Sequence, residues 1–279
     1  MRSVMNAEVP PELPAVDLRG VCARYESPGA VIHGVNMRIA QGEFFAFIGP
    51  NGGGKTTLIK VILGLVKPYA GEAYIYGEPA GRRHELVGYV PQFATCRRDF
   101  PITVRRMIRL ALQNSLAQRT RPGSSEQNLV TAALDRVGLS HVADRRLGEL
   151  SGGQLQRALI AKALVREPRM LILDEPTASI DPEGETELLR LFEELSRSMT
   201  IIMVSHDVHY VLRCVGRVAC VNREVVVHEA NALEGVDTQL LYGGMLKAVM
   251  HNHTISASTS RSDATSCHSC ATDSPDGSL

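Results

Sequence analysis

Residues 43–66 read EFFAFIGPNGGGKTTLIKVILGLV, and no other stretch constrains the fold so tightly. An apolar run with the character of a buried strand feeds a loop of glycines, and the loop opens on a helix-forming segment, KTTLIKVILGLV. From Gly49 to Thr56 the spacing is G-x-x-x-x-G-K-[ST], with every position filled. In the loop made by Gly49, Pro50, Asn51, Gly52, Gly53 and Gly54, backbone N–H groups can approach phosphate oxygens closely. Lys55 is expected to reach the outer phosphates and the Thr56 hydroxyl to ligate Mg²⁺, with Thr57 continuing the cradle into the helix N-terminus. An ordinary glycine turn is the plain alternative, and the strand before it and the helix after it argue against that.

The rest of the chain supplies the layers such a loop needs. AVDLRGVCARY, VIHGVNMRIAQG and EAYIYG alternate apolar and polar residues between glycines, which predicts antiparallel strands. From about residue 93 the pattern turns helical, with VRRMIRLALQNSLAQR and EQNLVTAALDRVG separated by TRPGSS, and reads as a helical insertion over about 93–155. Beyond it RMLILDEP and TIIMVSH are short apolar strands on either side of the amphipathic helix EGETELLRLFEELSRS. Alternating strands and helices predict a parallel sheet. The fold class is therefore α/β: a P-loop NTPase with a mixed core sheet, an antiparallel β subdomain and a helical insertion.

Further polar groups fall where strands end. Ligands of open parallel sheets gather beyond the carboxyl ends of the strands. Asp174, in LILDEP, ends such a strand and is expected to hold the metal through water. Glu175 follows at once; two adjacent carboxylates are costly there unless a cation or a proton transfer uses them, and Glu175 is read as the group that polarises the attacking water. Gln92, in VGYVPQ, and His206, in IIMVSHD, end two more strands. Either alone would more often be structural; beside a phosphate loop they are read as sensors, Gln92 contacting Mg²⁺ and the water, His206 the γ-phosphate and Glu175. The ring of Tyr25 could stack on adenine or could simply be a half-buried strand side chain.

A second anion cradle stands about a hundred residues downstream. Ser151, Gly152, Gly153 and Gln154, in LSGGQLQR, form a serine-glycine turn that runs into a helix, whose N-terminus favours negative charge. One chain with two cradles poses a question that single motifs do not answer.

Taken in order, GPNGGGKTT, VGYVPQ, LSGGQLQR, LILDEP, the ASID loop at 178–181 and VSHD resemble the ATP-binding subunits of ABC transporters over roughly residues 15–230. The resemblance implies ATP and Mg²⁺ as ligands and ATP hydrolysis as the activity. It also implies that Ser151 to Gln154 close over the ATP held by a second copy of the chain, in a head-to-tail homodimer, with Ser179 and Asp181 at the same interface. Many family members carry Leu where this chain has Ile180. The phrases DFPITV and VACVNR are similar to those of ATPases serving bacterial uptake of zinc, manganese or chelated iron. That likeness implies integral membrane permease subunits as partners, with a coupling helix docking near Gln92, and an extracytoplasmic metal-binding protein acting indirectly. Other readings are an importer ATPase for another substrate such as chelated iron, a soluble ABC ATPase that does not transport, and a metal-sensing switch.

Thirty acidic and thirty basic side chains leave no global field to hold a nucleic acid, so none is expected as a partner. Apolar runs such as IKVILGLV are far shorter than the roughly 20 residues that span a bilayer, and MRSVMNAEVPPELP lacks the apolar core of a secretory signal. A cytoplasmic protein, peripheral on the inner face of the plasma membrane, is the expectation. Six cysteines do not make a dense disulfide framework, and Cys214 and Cys220 read as buried thiols. The domain reading is a flexible N-terminus over 1–14, a nucleotide-binding domain over 15–250 and a Ser/Thr-rich, disordered tail over 251–279. His251, His253, Cys267, His268 and Cys270 in that tail could bind Zn²⁺ or Cu(I), but with no second Cys-x-x-Cys they read as incidental ligands.

Overall fold

A strand buried on both faces must serve two cores at once, because its side chains alternate. Phe44–Ile48 (β3), the run before the glycine loop, does this in the computed structural model, where residues 13–24, 31–92, 101–113, 126–177 and 180–233 are described. Phe44, Ala46 and Ile48 join one apolar cluster; Phe45 and Phe47 join the other.

The elements follow the expected order. Val16–Arg24 (β1) and Val31–Ile39 (β2) precede β3, and Lys55–Ile62 (α1) follows it. Ala70–Ile75 (β4), Glu78–Pro79 (β5) and Val87–Val90 (β6) lead into Val104–Gln113 (α2) and Glu126–Arg136 (α3). Then come Gly152–Leu164 (α4), Met170–Asp174 (β7), Pro182–Ser196 (α5), Thr200–Val204 (β8), Val208–Leu212 (α6), Arg217–Asn222 (β9) and Glu224–Glu229 (β10). One sheet is antiparallel, in the order β2-β1-β4-β5; the other runs β10-β9-β3-β8-β7-β6, parallel throughout except for the β9–β10 hairpin.

The two faces of the six-stranded sheet are covered differently. One face packs against α4 and α5, with α2 and α3 packed on α4, and Ile108, Leu134, Leu155, Leu159 and Phe192 share one cluster with Leu171, Leu173 and Met203. Helix α4 belongs to both bodies: Leu155 and Leu159 share the cluster of the helical insertion and of the sheet, so the insertion and the sheet form one continuous core. The other face packs against α1 and the antiparallel sheet through Leu58, Ile59, Ile62, Val16, Leu18 and Ile75. The glycine loop thus lies at the carboxyl edge of β3, clamped between the two sheets.

Element ends differ from the sequence expectations in three places. Helix α1 stops at Ile62, not near Val66. Gly64 takes φ 70° and the Leu65 N–H turns back to the Lys60 carbonyl at 2.8 Å, a Schellman-type ending. Gly152 and Gly153 are the first turn of α4 and not a preceding turn, because Ser151 caps the helix. Gln92 and His206 stand two residues beyond their strands. Tyr25, Ser179, the DF of DFPITV and the tail over 251–279 lie outside the described residues. No helix among the described residues is long and apolar enough to cross a membrane. Cys220 is buried and Cys214 half-buried, and burial pushes their thiols up to about 11 and about 12.

Candidate functional site

The loop after β3 is shaped by what stands behind it. A Cβ on Gly49 would run into the Val221 carbonyl of β9, and one on Gly53 would come within 2.6 Å of the same oxygen. Gly49 also sits at φ 151°, a region closed to other L-residues. Strand β9 therefore presses the loop forward, and the Arg223 N–H fastens it by donating to the Gly53 carbonyl at 2.8 Å. Gly54 is the N-cap of α1 at φ 107° and offers no side-chain acceptor to the first turn, so the helix opens on bare backbone. Gly49→Ala is expected to destabilise the fold by about 3 kcal/mol, the combined range for overpacking and backbone strain. Urea unfolding measures it, and an unchanged midpoint would mean that the loop can move off β9 without penalty.

In front of the loop is a cleft of about 710 Å³. It is lined by Gly49, Pro50, Asn51, Gly52, Gly54, Lys55, Thr56, Thr57, Gln92, Asp174, Glu175, Val204 and His206. The structure thus brings together the loop, both acids, the glutamine and the histidine from four separate segments. Gly53 is not among the residues that line the cleft, and its N–H donates within the loop to the Pro50 carbonyl at 3.1 Å. Among the described residues no cluster of three or more His, Cys, Asp or Glu side chains forms a metal site of protein ligands alone.

Lys55 is 7% exposed, and its ammonium donates to the carbonyls of Gly49 at 2.6 Å and Pro50 at 3.0 Å. Burial holds its pKa below the ordinary lysine value, against the pull of Glu175 and Asp174. Asp174, 8% exposed, is shifted the other way. Burial raises it, and the neighbouring Glu175 charge adds to that, while the Tyr89 hydrogen bond, Lys55 and Lys60 oppose it. Burial is the leading cause of both shifts, so the site holds a cation and an anion whose charged forms are partly desolvated. A polyphosphate beside Lys55 and a divalent cation beside Asp174 would each favour the charged form that burial disfavours.

Glu175 adopts φ 48°, one of four described non-glycine residues with positive φ, and its N–H donates to the Val204 carbonyl at 2.9 Å. Strain of this kind gathers at functional positions. Its carboxylate accepts from Gln92 Nε2 at 2.9 Å and lies 3.6 Å from His206 Nδ1, too long for a hydrogen bond but close enough for an ion pair with the protonated ring. The Gln92 amide, read from sequence as a partner of Mg²⁺ and water, is therefore also tied to Glu175. Sequence reading missed Tyr89. Its hydroxyl donates to Asp174 Oδ2 at 3.3 Å, and burial with the Asp174 charge pushes the phenol up to about 12. The signal was present in VGYV, where Tyr89 is the polar-tipped member of a strand leading to Gln92.

Ser151 to Gln154 line a different cavity, of about 410 Å³, together with Arg157, Ile180, Asp181, Glu183, Gly184 and Glu187. It shares no residue with the first cleft. Ser151 Oγ accepts from the Gln154 N–H at 3.2 Å and the Gln154 side chain accepts from the Ser151 N–H at 3.2 Å, a reciprocal capping box. Asp181 likewise caps α5 by accepting from the Gly184 N–H at 2.9 Å. A Cβ on Gly153 would meet Gly184 Cα at 3.8 Å and Ile180 Cγ2 at 3.9 Å, ordinary contacts. Packing within the subunit therefore does not demand glycine at 153.

A strand, an anion-cradling loop and a helix, with two acids at the carboxyl edge of a parallel sheet, define a P-loop nucleotide-binding ATPase. A family model described as ABC transporter matches residues 32–178, and the chain belongs to that family. A probable metal transport system ATP-binding protein of Chlamydia pneumoniae is 39% identical over 207 residues, 73% of this chain and 84% of that protein. The zinc import ATP-binding protein ZnuC of Pseudomonas aeruginosa is 41% identical over 199 residues, 70% of this chain and 67% of its own length. The manganese transport system ATP-binding protein MntB of Listeria monocytogenes is 36% identical over 214 residues, 76% and 89% of the two chains.

Among solved structures, cbiO1 from Clostridium perfringens, part of the ABC transporter complex cbiONQ, superposes with a TM-score of 0.71 at 30% identity, covering 81% of this chain and 92% of that one. A dimeric, post-hydrolysis ATP-binding cassette bound to ADP and Pi superposes with a TM-score of 0.65 at 26% identity, covering 77% and 98%.

Proposed function

We propose that this protein hydrolyses ATP to energise import of a divalent metal ion, zinc or manganese, through a separate membrane permease. The relatives named for metal, zinc and manganese transport support the substrate class. The observation that carries the chemistry is the cleft in which Lys55, Thr56, Asp174, Glu175, Gln92 and His206 converge.

Mg²⁺ fits the donor set, because the Thr56 hydroxyl, the Asp174 carboxylate and the Gln92 amide oxygen are hard oxygen ligands and a cation would favour the charged form of Asp174 that burial disfavours. Bound there, Mg²⁺ would neutralise charge on the phosphates. Lys55 and the loop N–H groups hold the phosphates. Glu175, fixed by Gln92 and facing His206, orients water and accepts its proton. Tyr25 stacks on the adenine in this reading.

Completion of the site by a second copy explains why two cradles occupy separate cavities. Ser151, Gly152, Gly153 and Gln154 of one subunit close on the triphosphate seated in the other, with Ser179 and Asp181 beside them. Glycine at 153, which subunit packing does not require, is what close approach of a ligand favours. Contacts between anions and helix N-termini are worth about 0.3–1 kcal/mol when exposed and up to ~2 when partly buried, so several together close an interface that hydrolysis reopens. The domain over 15–250 carries this activity on the cytoplasmic face, in contact with permease subunits to which an extracytoplasmic metal-binding protein delivers cargo. The tail over 251–279 is not needed for ATP turnover.

Saturating Mg²⁺ with a non-hydrolysable ATP analogue is expected to raise the melting temperature by about 5–10 °C, the shift that ~2.7 kcal/mol of linkage at a hundredfold excess over Kd gives a domain of this size. Differential scanning calorimetry checks it, and the analogue with EDTA should give less than half the shift. The transport reading is tested by metal accumulation in cells lacking the protein. Uptake of radioactive zinc or manganese should fall and be restored by the wild type but not by Glu175→Gln; normal uptake of both would end the proposal.

A further inference from the structure

Strand β6 and the segment just after it hold both members of the acidic pair, and only one of the two clips has an assigned part. Gln92 Nε2 donates to Glu175 Oε2 at 2.9 Å; three residues earlier, the Tyr89 hydroxyl donates to Asp174 Oδ2 at 3.3 Å. The register explains why the second clip forms. Strands β6 and β7 are parallel, with Tyr89 opposite Ile172 and Val90 opposite Leu173. Tyr89 and Ile172 lie on the same side, both against the cluster formed with α1, while Val90 and Leu173 face the other cluster. The pleat returns Asp174 to the side of Ile172, two residues on. A tyrosine is long enough to pass Ile172 and reach the carboxylate; a phenylalanine fills the same space and stops short of it.

We propose that Tyr89 is a positioning residue for Asp174, occupying one carboxylate oxygen so that the other is aimed at the metal ion of the metal–nucleotide complex. This rests on the reading of Asp174 as a metal-holding group. Asp174 is buried, and a carboxylate that rotates to bond elsewhere loses its aim. Partners behind a metal-holding carboxylate fix its orientation, and removing them costs about 10- to 100-fold in metal affinity. At 3.3 Å the bond is long, which places the expected loss at the lower end. The arrangement also ties the metal site to the strand that leads into Gln92, so that a displacement of β6 and the segment after it moves the supports of Asp174 and Glu175 together.

The test uses the full-length protein and three variants: Tyr89→Phe, Asp174→Asn and the double variant. Manganese(II) serves as the spectroscopic probe, titrated by electron paramagnetic resonance in the presence of a non-hydrolysable ATP analogue, and analogue affinity is measured separately in EDTA. Tyr89→Phe is expected to weaken Mn²⁺ binding about tenfold, to leave metal-free analogue affinity within twofold, and to have no further effect in the Asp174→Asn background. A merely structural tyrosine would instead lower the melting temperature and metal-free affinity together, which overturns the assignment. Mn²⁺ binding within twofold of wild type in Tyr89→Phe overturns it as well. If Asp174→Asn itself binds Mn²⁺ normally, the metal reading of Asp174 fails; if only that variant binds weakly, the reading stands and the role of Tyr89 falls.

Discussion

Glu175→Gln is expected to lower ATP turnover by about 10²–10⁴-fold, the range ascribed to general base catalysis, while the protein still binds ATP and becomes dimeric in its presence. The side chain keeps its size, so the hydrogen-bond geometry with Gln92 at 2.9 Å is largely preserved, but it can no longer accept a proton from water. Removing the charge also changes the balance in the cleft. Glu175 is one of the influences that raise Asp174, and it supports the charged form of Lys55. With glutamine present, the upward influence of that charge on Asp174 and its support of the Lys55 charge are both removed. Light scattering with Mg²⁺ and ATP should report a doubled mass that persists for hours, whereas the wild type returns to monomer as ATP is consumed. A monomer at saturating ATP, or turnover within tenfold of wild type, would remove Glu175 from the role assigned to it.

The second large effect is expected from Ser151→Arg. Turnover should fall more than about a hundredfold, as when a single anion-stabilising donor is lost from an active site. Nucleotide affinity of the monomer should be unchanged, because Ser151 lines a cavity that shares no residue with the loop cleft. Loss of the N-cap contributes only about 1 kcal/mol of destabilisation, too little to unfold a domain of this size. Ser151→Asp separates the two effects. Aspartate caps a helix as well as serine does, so α4 stays intact, but its charge opposes an incoming γ-phosphate. If both variants lose monomer affinity in proportion to turnover, the two cradles act within one subunit.

Much of this site was legible in the sequence because its motifs are local. The spacing from Gly49 to Thr56 carries its own strand, loop and helix, and LILDEP places Asp174 at a strand end by the length of the apolar run alone. The glycines were legible as residues needed without a Cβ, but not the reason at each position. Gly49 and Gly53 back onto a carbonyl of β9 more than 160 residues away, whereas Gly153 meets only ordinary contacts. Burial was legible in the same uneven way: the all-apolar β3 announced a buried strand, but not that alternate residues serve different clusters.

The sequence by itself determined the phosphate loop, the order of strands and helices, and the residue types that meet at the carboxyl edge, since each depends on spacing within a few residues. Tertiary structure alone decided which groups touch. That Tyr89 reaches Asp174 follows from the register of β6 on β7, Gln92 meets Glu175 just beyond those strands, and that the serine-glycine helix opens into its own cavity follows from the packing of α4 against α5. Pairing between strands 80 residues apart is set by the balance of the whole core, to which no short stretch of chain holds the key.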